Sequence, residues 1–172
     1  MKWMIASDIH GSAYYCKKTI EAFSTEQADR LLLLGDILYH GPRNDLPRDY
    51  DPKTVVSFLN GLTDKIFCIR GNCDAEIDQK VLDFPLLPAM AVPYNGHILY
   101  VSHGHTPKPE LQDGDLYLQG HTHVPTWDTT LNPGSTSIPK KDSRHSYMIW
   151  QDNKFVWKDL NTGAVYQTKI WE

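Results

Sequence analysis

Short apolar runs alternate with longer amphipathic segments in the first half of the chain. The runs have the length and aliphatic composition of buried strands, and they cover 2–7, 30–34 and 65–69. The segments that follow them predict helices at 13–27, 52–62 and 75–84. Ser12 is placed to cap the first helix, and Asp51-Pro52 joins a cap to a proline at the first helical position. This βαβαβ order predicts a parallel sheet with helices on its faces.

The second half of the chain has the pattern of antiparallel strands. Asn95-Gly96 lies between two such strands and is the dipeptide most typical of a two-residue hairpin. The predicted strands cover 89–94, 97–102, 116–119, 125–130, 144–150, 155–160 and 164–170. No linker or repeat interrupts the pattern. We therefore predict one domain over residues 1–172, in which two sheets pack together and are flanked by helices.

Composition excludes several classes of protein. Lys and Arg total 17 against 21 Asp and Glu, a net charge of −4, which disfavours a broad surface for nucleic acid or an anionic membrane. The chain has three cysteines, an odd number that does not suggest a disulfide framework. We expect Cys16 and Cys68 to be buried. The apolar run near the first residue is shorter than the core of a signal peptide, and no stretch has transmembrane length. The expected location is the cytoplasm.

Metal-binding side chains cluster where the predicted strands end. Five of the eight histidines lie between His97 and His123. The candidate ligands that follow strands are Asp8, His10, Asp36, Asn72, His103, His121 and His123. In an open α/β sheet, ligands bind beyond the carboxyl ends of the strands, so we expect these side chains to converge.

The number and type of these donors indicate the chemistry. Seven oxygen and nitrogen donors suit two divalent ions that share a bridging carboxylate. Histidine with carboxylate and no thiolate favours Mn²⁺, Fe²⁺, Zn²⁺, Co²⁺ or Ni²⁺ over Mg²⁺ alone. A hydroxide held between two such ions is a strong nucleophile near neutral pH. The pattern therefore predicts metal-assisted hydrolysis of a phosphoester.

Five sequence blocks, in this order, resemble the calcineurin-like metallophosphoesterases. The blocks are Asp8-Ile9-His10, Gly35-Asp36, Gly71-Asn72-Cys73-Asp74, His103-Gly104 and Gly120-His121-Thr122-His123. The short chain, the third block and the run His40-Gly41-Pro42-Arg43-Asn44 resemble the small bacterial branch that contains a manganese-dependent phosphodiesterase. The resemblance implies an α/β fold, a four-layer α-β-β-α sandwich of two mixed sheets flanked by helices. It also suggests that Asn132-Pro133-Gly134-Ser135 supports the site.

The resemblance further implies the role of each ligand. The first ion would be held by Asp8, His10, Asp36 and His123. The second would be held by Asp36 as the bridging group together with Asn72, His103 and His121. Asn72 and Cys73 would also lie beside the reacting phosphoryl group.

Cys73 departs from the pattern, because many phosphatases of this superfamily have a histidine there. A thiol is a weaker hydrogen-bond donor than an imidazolium, and beside a metal it can lose its proton. A poor leaving group would then depart slowly, so we expect diesterase activity that favours acidic, aryl-type leaving groups. The alternative is that Cys73 only fills space under its loop.

Several further residues have two interpretations each. His40 and Arg43 could bind the substrate phosphate or belong to a solvated loop. His105 could face the substrate or support a ligand. Asp74 is interpreted as a cap for the helix beginning at Ala75, and the run Lys140-Lys141 as part of a solvated loop.

The leading function is a two-metal phosphodiesterase acting on a small-molecule phosphodiester. The alternatives are a phosphomonoesterase acting on a small metabolite or phosphoprotein, and a catalytically silent scaffold. A nuclease is disfavoured by the acidic, short chain. Five Trp and nine Tyr leave a homo-oligomeric interface open, and no membrane partner is expected.

Overall fold

The alternating first half of the chain forms parallel strands, as predicted. The computed structural model describes residues 1–172. Its parallel strands are β1 (Lys2–Ala6), β2 (Arg30–Leu33), β3 (Ile66–Ile69) and β4 (Leu86–Leu87), paired in that order. Parallel pairing brings the carboxyl ends of β1, β2 and β3 to one edge of the sheet.

Two capped helices connect these strands. Helix α1 (Ala13–Thr25) begins after Ser12, whose hydroxyl accepts from the Tyr15 N–H. Helix α2 (Pro52–Asn60) begins after Asp51, whose carboxylate accepts from the Thr54 N–H. Both caps confirm the predicted helix starts, and both helices end a turn or less before the predicted boundary.

The third predicted helix, 75–84, is wrong in length. Only α3 (Asp78–Val81) is helical. The Gln79 side chain donates to the Phe84 carbonyl (3.0 Å) and accepts from the Leu86 N–H (2.7 Å). These bonds turn the chain directly into β4, and Pro85 cannot continue a helix.

The C-terminal meander completes the first sheet on its other side. Strands β10 (Ser146–Gln151), β11 (Lys154–Asp159) and β12 (Val165–Ile170) pair antiparallel to each other, and β10 pairs antiparallel to β1. The resulting seven-stranded sheet is mixed, in the order β12-β11-β10-β1-β2-β3-β4.

A second, five-stranded sheet contains the rest of the strands. They are β5 (Met90–Tyr94), β6 (His97–Val101), β7 (Leu116–Leu118), β8 (Thr126–Trp127) and β9 (Thr130–Asn132). The sheet order is β5-β6-β7-β9-β8. The single predicted strand 125–130 is wrong, because the chain reverses after Trp127 and forms the β8–β9 hairpin, in which Trp127 pairs with Leu131.

Two hydrophobic cores separate the layers. One core lies between the helices and the first sheet, where Cys16 and Phe23 of α1 pack with Leu31 and Leu33 of β2. The other lies between the two sheets, where Leu99 of β6 packs with Ile5, Met148 and Trp157. Residues of β1, β2 and β10 thus contribute to both cores.

The two mixed sheets with helices confirm the predicted fold class. One detail of the four-layer expectation differs, because every α-helix precedes Leu82, and α1 and α2 pack on the first sheet. On the outer side of the second sheet, Lys108 lies over the Tyr117 ring and bonds the Thr130 hydroxyl. A loop therefore takes the place of an outer helix there. No helix combines the length and apolar character that crossing a membrane requires.

Candidate metal centre

The seven predicted ligands converge where the strands of both sheets end. Asp8 and His10 follow β1, Asp36 follows β2, Asn72 follows β3, His103 follows β6, and His121 and His123 follow β7. Potential ligand atoms lie within 4.8 Å of one another in three groups. The groups are Asp8, His10 and His123; Asp36, His103 and His121; and His10, Asp36 and Cys73. The Asn72 Oδ1 atom lies 3.1 Å from His103 Nε2 and so joins the second group.

Three of the imidazoles are oriented by backbone carbonyls. His10 Nδ1 lies 2.8 Å from the Tyr39 carbonyl, His103 Nδ1 lies 2.6 Å from the Leu34 carbonyl, and His123 Nδ1 lies 2.7 Å from the Ile138 carbonyl. A carbonyl oxygen only accepts, so each Nδ1 carries the proton. In the neutral ring, each Nε2 then presents a lone pair to the centre, which is the usual arrangement of metal-bound histidine.

When the imidazoles are neutral, the atoms that face the centre are all hydrogen-bond acceptors and cannot bond to one another. His10 Nε2 and His123 Nε2 are 3.2 Å apart, and His123 Nε2 is 3.3 Å from Asp8 Oδ1. That Oδ1 atom is buried and has no hydrogen-bond partner. His103 Nε2 similarly lies 3.3 Å from Asp36 Oδ2. A cation would stabilise the two imidazole lone pairs that face each other beside the unpartnered Asp8 oxygen. The donor set therefore fits a divalent metal ion.

The carboxylates at the centre favour protons on the imidazoles. Burial lowers the pKa of His103, but the adjacent Asp36 carboxylate outweighs it and raises that pKa to about 9. Burial also opposes charge at His10, where Asp8 again outweighs it and raises the pKa. Burial would raise the pKa of Asp8, but His10 and His123 hold it well below its usual range. Protons on the imidazoles thus occupy the place that metal charge would take.

The backbone at the ligands is unusual. Asp8, His10, Asp36, His121 and His123 all have φ between 49° and 64°. This left-handed region is uncommon for residues other than glycine and is concentrated at functional sites. Gly71 is required nearby, because a side chain there would collide with the Asp36 carboxylate and backbone. The sequence signals the ligands themselves but not this conformation.

Asp74 has a different role from the one that the sequence suggested. Its interpretation as a cap for a helix at Ala75 is wrong, because the helix begins only at Asp78. Its Oδ2 accepts from the N–H groups of Asp36 (2.9 Å) and Gly71 (2.7 Å), and its Oδ1 accepts from the Ile37 N–H (2.7 Å). Asp74 therefore fixes the loops after β2 and β3 against each other.

Hydroxyl groups support Asp8 from below. Ser7 Oγ donates to Asp8 Oδ2 (2.6 Å), and the His121 N–H donates to the same oxygen (3.1 Å). The hydroxyls of Ser135 and Ser137 donate to the Asp8 carbonyl at 2.8 and 2.9 Å. Ser135 lies in the turn that the sequence identified as support. The sequence analysis did not identify Ser7 or Ser137. The only indication in the sequence is that Ser7 precedes Asp8 and that Ser137 follows this turn.

A cavity of about 370 Å³ opens above the ligands. Its walls are His10, Asp36, Tyr39, Gly41, Pro42, Arg43, Asn44, Asn72, Cys73, Asp74, Ala75, His121, His123 and Lys140. Arg43 thus borders the centre, whereas His40 does not line it. The His40 ring packs edge-on against Tyr39 and Tyr50, at 4.8 and 5.3 Å between centroids.

The remaining histidines lie outside the group of ligands. His105 is exposed, with its ring 5.4 Å from that of His103 and 6.3 Å from that of His121. His145 stacks on Tyr15 at 4.2 Å, and its Nδ1 lies 2.8 Å from the Thr136 carbonyl. His97 pairs with Tyr94 across the β5–β6 hairpin.

Cys73 is half-buried beside the bridging position. Its N–H donates to Asp36 Oδ1 (2.8 Å), and its Sγ lies 3.4 Å from the Asn72 amide nitrogen. Burial and the Asp36 charge raise the pKa of the Cys73 thiol to about 12. In the metal-free protein, Cys73 is therefore a neutral thiol at the cavity wall. Cys16 and Cys68 are buried, as expected.

Known proteins share both the sequence and the fold. Residues 1–154 match the family model described as the calcineurin-like phosphoesterase superfamily domain. The phosphodiesterase YfcE of Escherichia coli K12 is 43% identical over 157 residues, covering 86% of this chain and 85% of that protein. The structure of YfcE from E. coli superposes with a TM-score of 0.93 at 38% identity, covering 100% of both chains.

A more distant protein shows only the shared fold. Vps29 from Entamoeba histolytica superposes with a TM-score of 0.64 at 18% identity, covering 100% of both chains. The family model spans most of the residues here, including all seven converging side chains. This chain therefore belongs to the calcineurin-like phosphoesterase superfamily.

Proposed function

We propose that this protein is a metal-dependent phosphodiesterase that uses two divalent ions, with Mn²⁺ the favoured metal. The observation that carries the proposal is that His10 Nε2 and His123 Nε2 lie 3.2 Å apart beside the buried, unpartnered Asp8 Oδ1. Similarity to the YfcE phosphodiesterase along most of the chain supports the reaction class.

Two overlapping ligand sets support two ions. We assign Asp8, His10, Asp36 and His123 to the first ion, and Asp36, Asn72, His103 and His121 to the second. Asp36 Oδ2 lies 3.6 Å from His10 Nε2 and 3.3 Å from His103 Nε2, which suits a bridging carboxylate. Imidazole with carboxylate and amide oxygen is a donor set that accommodates Mn²⁺.

The residues of this chain would position the diester for attack. Bound ions supply a nucleophilic hydroxide near neutral pH and neutralise charge on the phosphoryl group. Arg43, on the loop after β2, is exposed at the cavity and able to bind a non-bridging phosphate oxygen with two N–H groups. The Tyr39, Leu34 and Ile138 carbonyls keep the three imidazoles from turning away.

Cys73 accounts for the proposed preference among substrates. A neutral thiol is a poor proton donor, so a departing oxygen must leave with little help from the protein. Aryl oxygens leave readily as anions, whereas alkyl oxygens do not. We therefore propose that diesters with acidic leaving groups react fastest and that alkyl phosphomonoesters react slowly.

Turnover of two chromogenic substrates tests this function. The chelated protein, with and without added Mn²⁺, is assayed on bis-p-nitrophenyl phosphate and on p-nitrophenyl phosphate. We expect Mn²⁺-dependent hydrolysis with the diester preferred. A preference for the monoester would instead support the phosphomonoesterase. No turnover of either substrate with metal bound would support a scaffold, and turnover that survives complete chelation would exclude the metal mechanism.

A further inference from the structure

Two cations at the cavity have no carboxylate partner. Arg43 and Lys140 both line the cavity above the ligands, both are exposed, and neither lies within 4.0 Å of an acidic group. They lie 97 positions apart in the sequence, Arg43 on the loop after β2 and Lys140 on the loop after β9. Surface cations normally remain in solvent. Arg43 and Lys140 differ from most in that both lie at the wall of the same cavity.

The loop that carries Lys140 is tied to a proposed ligand. The Lys140 N–H donates to the His123 carbonyl (3.3 Å), while the Ile138 carbonyl orients the His123 ring (2.7 Å). The Ser143 hydroxyl donates to the Lys140 carbonyl (2.7 Å), and the Ser143 N–H donates to the same oxygen (3.1 Å). The backbone of Lys140 is thereby held beside the centre rather than left in a free loop.

The loop also adopts a conformation that local sequence does not favour. Lys141 and Asp142 have φ of 54° and 55°, so two consecutive non-glycine residues are left-handed. Lys141 and Asp142 form a tight turn, after which Ser143 bonds back to the Lys140 carbonyl. Lys140 lines the cavity, whereas its neighbour Lys141 does not.

The charges around the cavity exceed what a simple diester requires. Two divalent ions would carry four positive charges, which the carboxylates of Asp8, Asp36 and Asp74 together with one hydroxide would balance, and Arg43 can match the single negative charge of a phosphodiester. Lys140 remains without a counter-charge. Few of the wall residues are apolar, which favours a polar ligand.

We propose that Lys140 is a specificity-determining residue that binds a second acidic group of the substrate. The preferred substrates are then small phosphodiesters that carry a further carboxylate or phosphate. This inference rests on the proposed phosphodiesterase function, because the first phosphoryl group is assigned to the metal centre and Arg43. Lys140 contributes to binding through charge attraction and takes no part in bond cleavage.

Calorimetric binding of two product-like ligands to the Mn²⁺-loaded protein tests the inference. Glycerol 3-phosphate and 3-phosphoglycerate are similar in size, but only the second has a carboxylate. Lys140→Gln is compared with Lys141→Gln, which removes the same charge one residue away, and with Lys140→Arg. Turnover of bis-p-nitrophenyl phosphate by the unaltered protein is measured separately, so a failure of the proposed function is recognised independently.

We expect the unaltered protein to bind 3-phosphoglycerate about fivefold more tightly than glycerol 3-phosphate, a preference that declines with added salt. Lys140→Gln should abolish the preference, while Lys141→Gln and Lys140→Arg should retain it. Equal affinity for the two ligands in the unaltered protein would overturn the inference. An equal loss in Lys141→Gln would also overturn it, because only the general charge of the loop would then matter.

Discussion

At the scale of single residues, the ligand side chains are held by contacts that the metal itself does not provide. The backbone carbonyls of Tyr39, Leu34 and Ile138 fix the Nδ1 protons of three histidines. Five of the seven ligands have left-handed backbone. Each such residue stores about 1–3 kcal/mol of strain, which the rest of the fold must offset.

Cys73→His tests the proposed role of the thiol. The imidazole would bring a proton donor to the cavity wall beside Asp36, so the monoesterase-to-diesterase ratio should rise, by about tenfold or more. The measurement is kcat/KM on p-nitrophenyl phosphate and on bis-p-nitrophenyl phosphate. Cys73→Ser, a small polar residue without that donor strength, is the control. An unchanged ratio in Cys73→His would support the space-filling alternative.

Metal binding should release protons. In the metal-free protein the pKa of His103 is about 9, so His103 is largely protonated at pH 7, and the pKa of His10 is also raised. Metal requires the unprotonated Nε2, so Mn²⁺ affinity should increase as the pH rises toward 9 and level off above it. Calorimetry in buffers of different ionisation enthalpy should detect at least one proton released per chain at pH 7. Release of none would contradict the assigned protonation.

At the scale of elements, the centre depends on how loops from separate strands are joined. Asp74 accepts from three N–H groups on the loops after β2 and β3. The hydroxyls of Ser135 and Ser137 join the segment after β9 to the Asp8 carbonyl. Such contacts between strand ends set the ligand geometry because no single loop contains a complete ligand set.

Asp74→Asn should weaken the centre. The amide would place an NH₂ group against backbone N–H donors, which costs about 1–3 kcal/mol of stability and loosens the Asp36 loop. Loss of an outer supporting group typically lowers metal affinity about 10–100-fold. Mn²⁺ affinity and urea unfolding measure the two effects. Asp78→Asn is the matched control, since the Asp78 carboxylate accepts only from the nearby Ala75 N–H (2.9 Å). Equal metal affinity in both variants would refute the role of Asp74.

The elements also show what the sequence reveals and what it does not. Local signals predict the strand ends, the Ser12 and Asp51 caps and the polar residues that follow each strand. The end of α3 is set instead by Gln79 bonds to residues after it, and the role of Asp74 by bonds to a loop 37 residues earlier. The cavity position of Lys140 similarly depends on its bond to His123. Contacts between distant segments leave no periodic pattern, so these features appear only in the structure.

At the scale of the whole molecule, the two sheets and the helical layer share strands. Met4 of β1 packs toward the helices, while its neighbour Ile5 packs toward the second sheet. Each of these strands has one core on each face, so the loss of either core would expose apolar residues of strands that the other core also needs. We therefore propose that the chain is a single cooperative domain.

Unfolding should therefore be a single transition. Far-ultraviolet circular dichroism and tryptophan fluorescence should give coincident thermal curves. Mn²⁺ at about 100 times its Kd should add about 2.7 kcal/mol to the free energy of unfolding for each of the two ions, because only the folded chain assembles the centre. For a chain of this size, Tm should rise by about 5–10 °C per bound ion. Separate transitions would contradict the single domain, and an unchanged Tm would contradict a metal site formed by folding.

The number and proximity of bound Mn²⁺ ions show directly whether Asp36 bridges two metal sites. The chelated protein is titrated with Mn²⁺ while electron paramagnetic resonance separates free, isolated and magnetically coupled ions. We predict two ions per chain with the signal of a coupled pair, and loss of coupling in Asp36→Ala. One isolated ion per chain, or two that remain uncoupled, would contradict a centre bridged by Asp36.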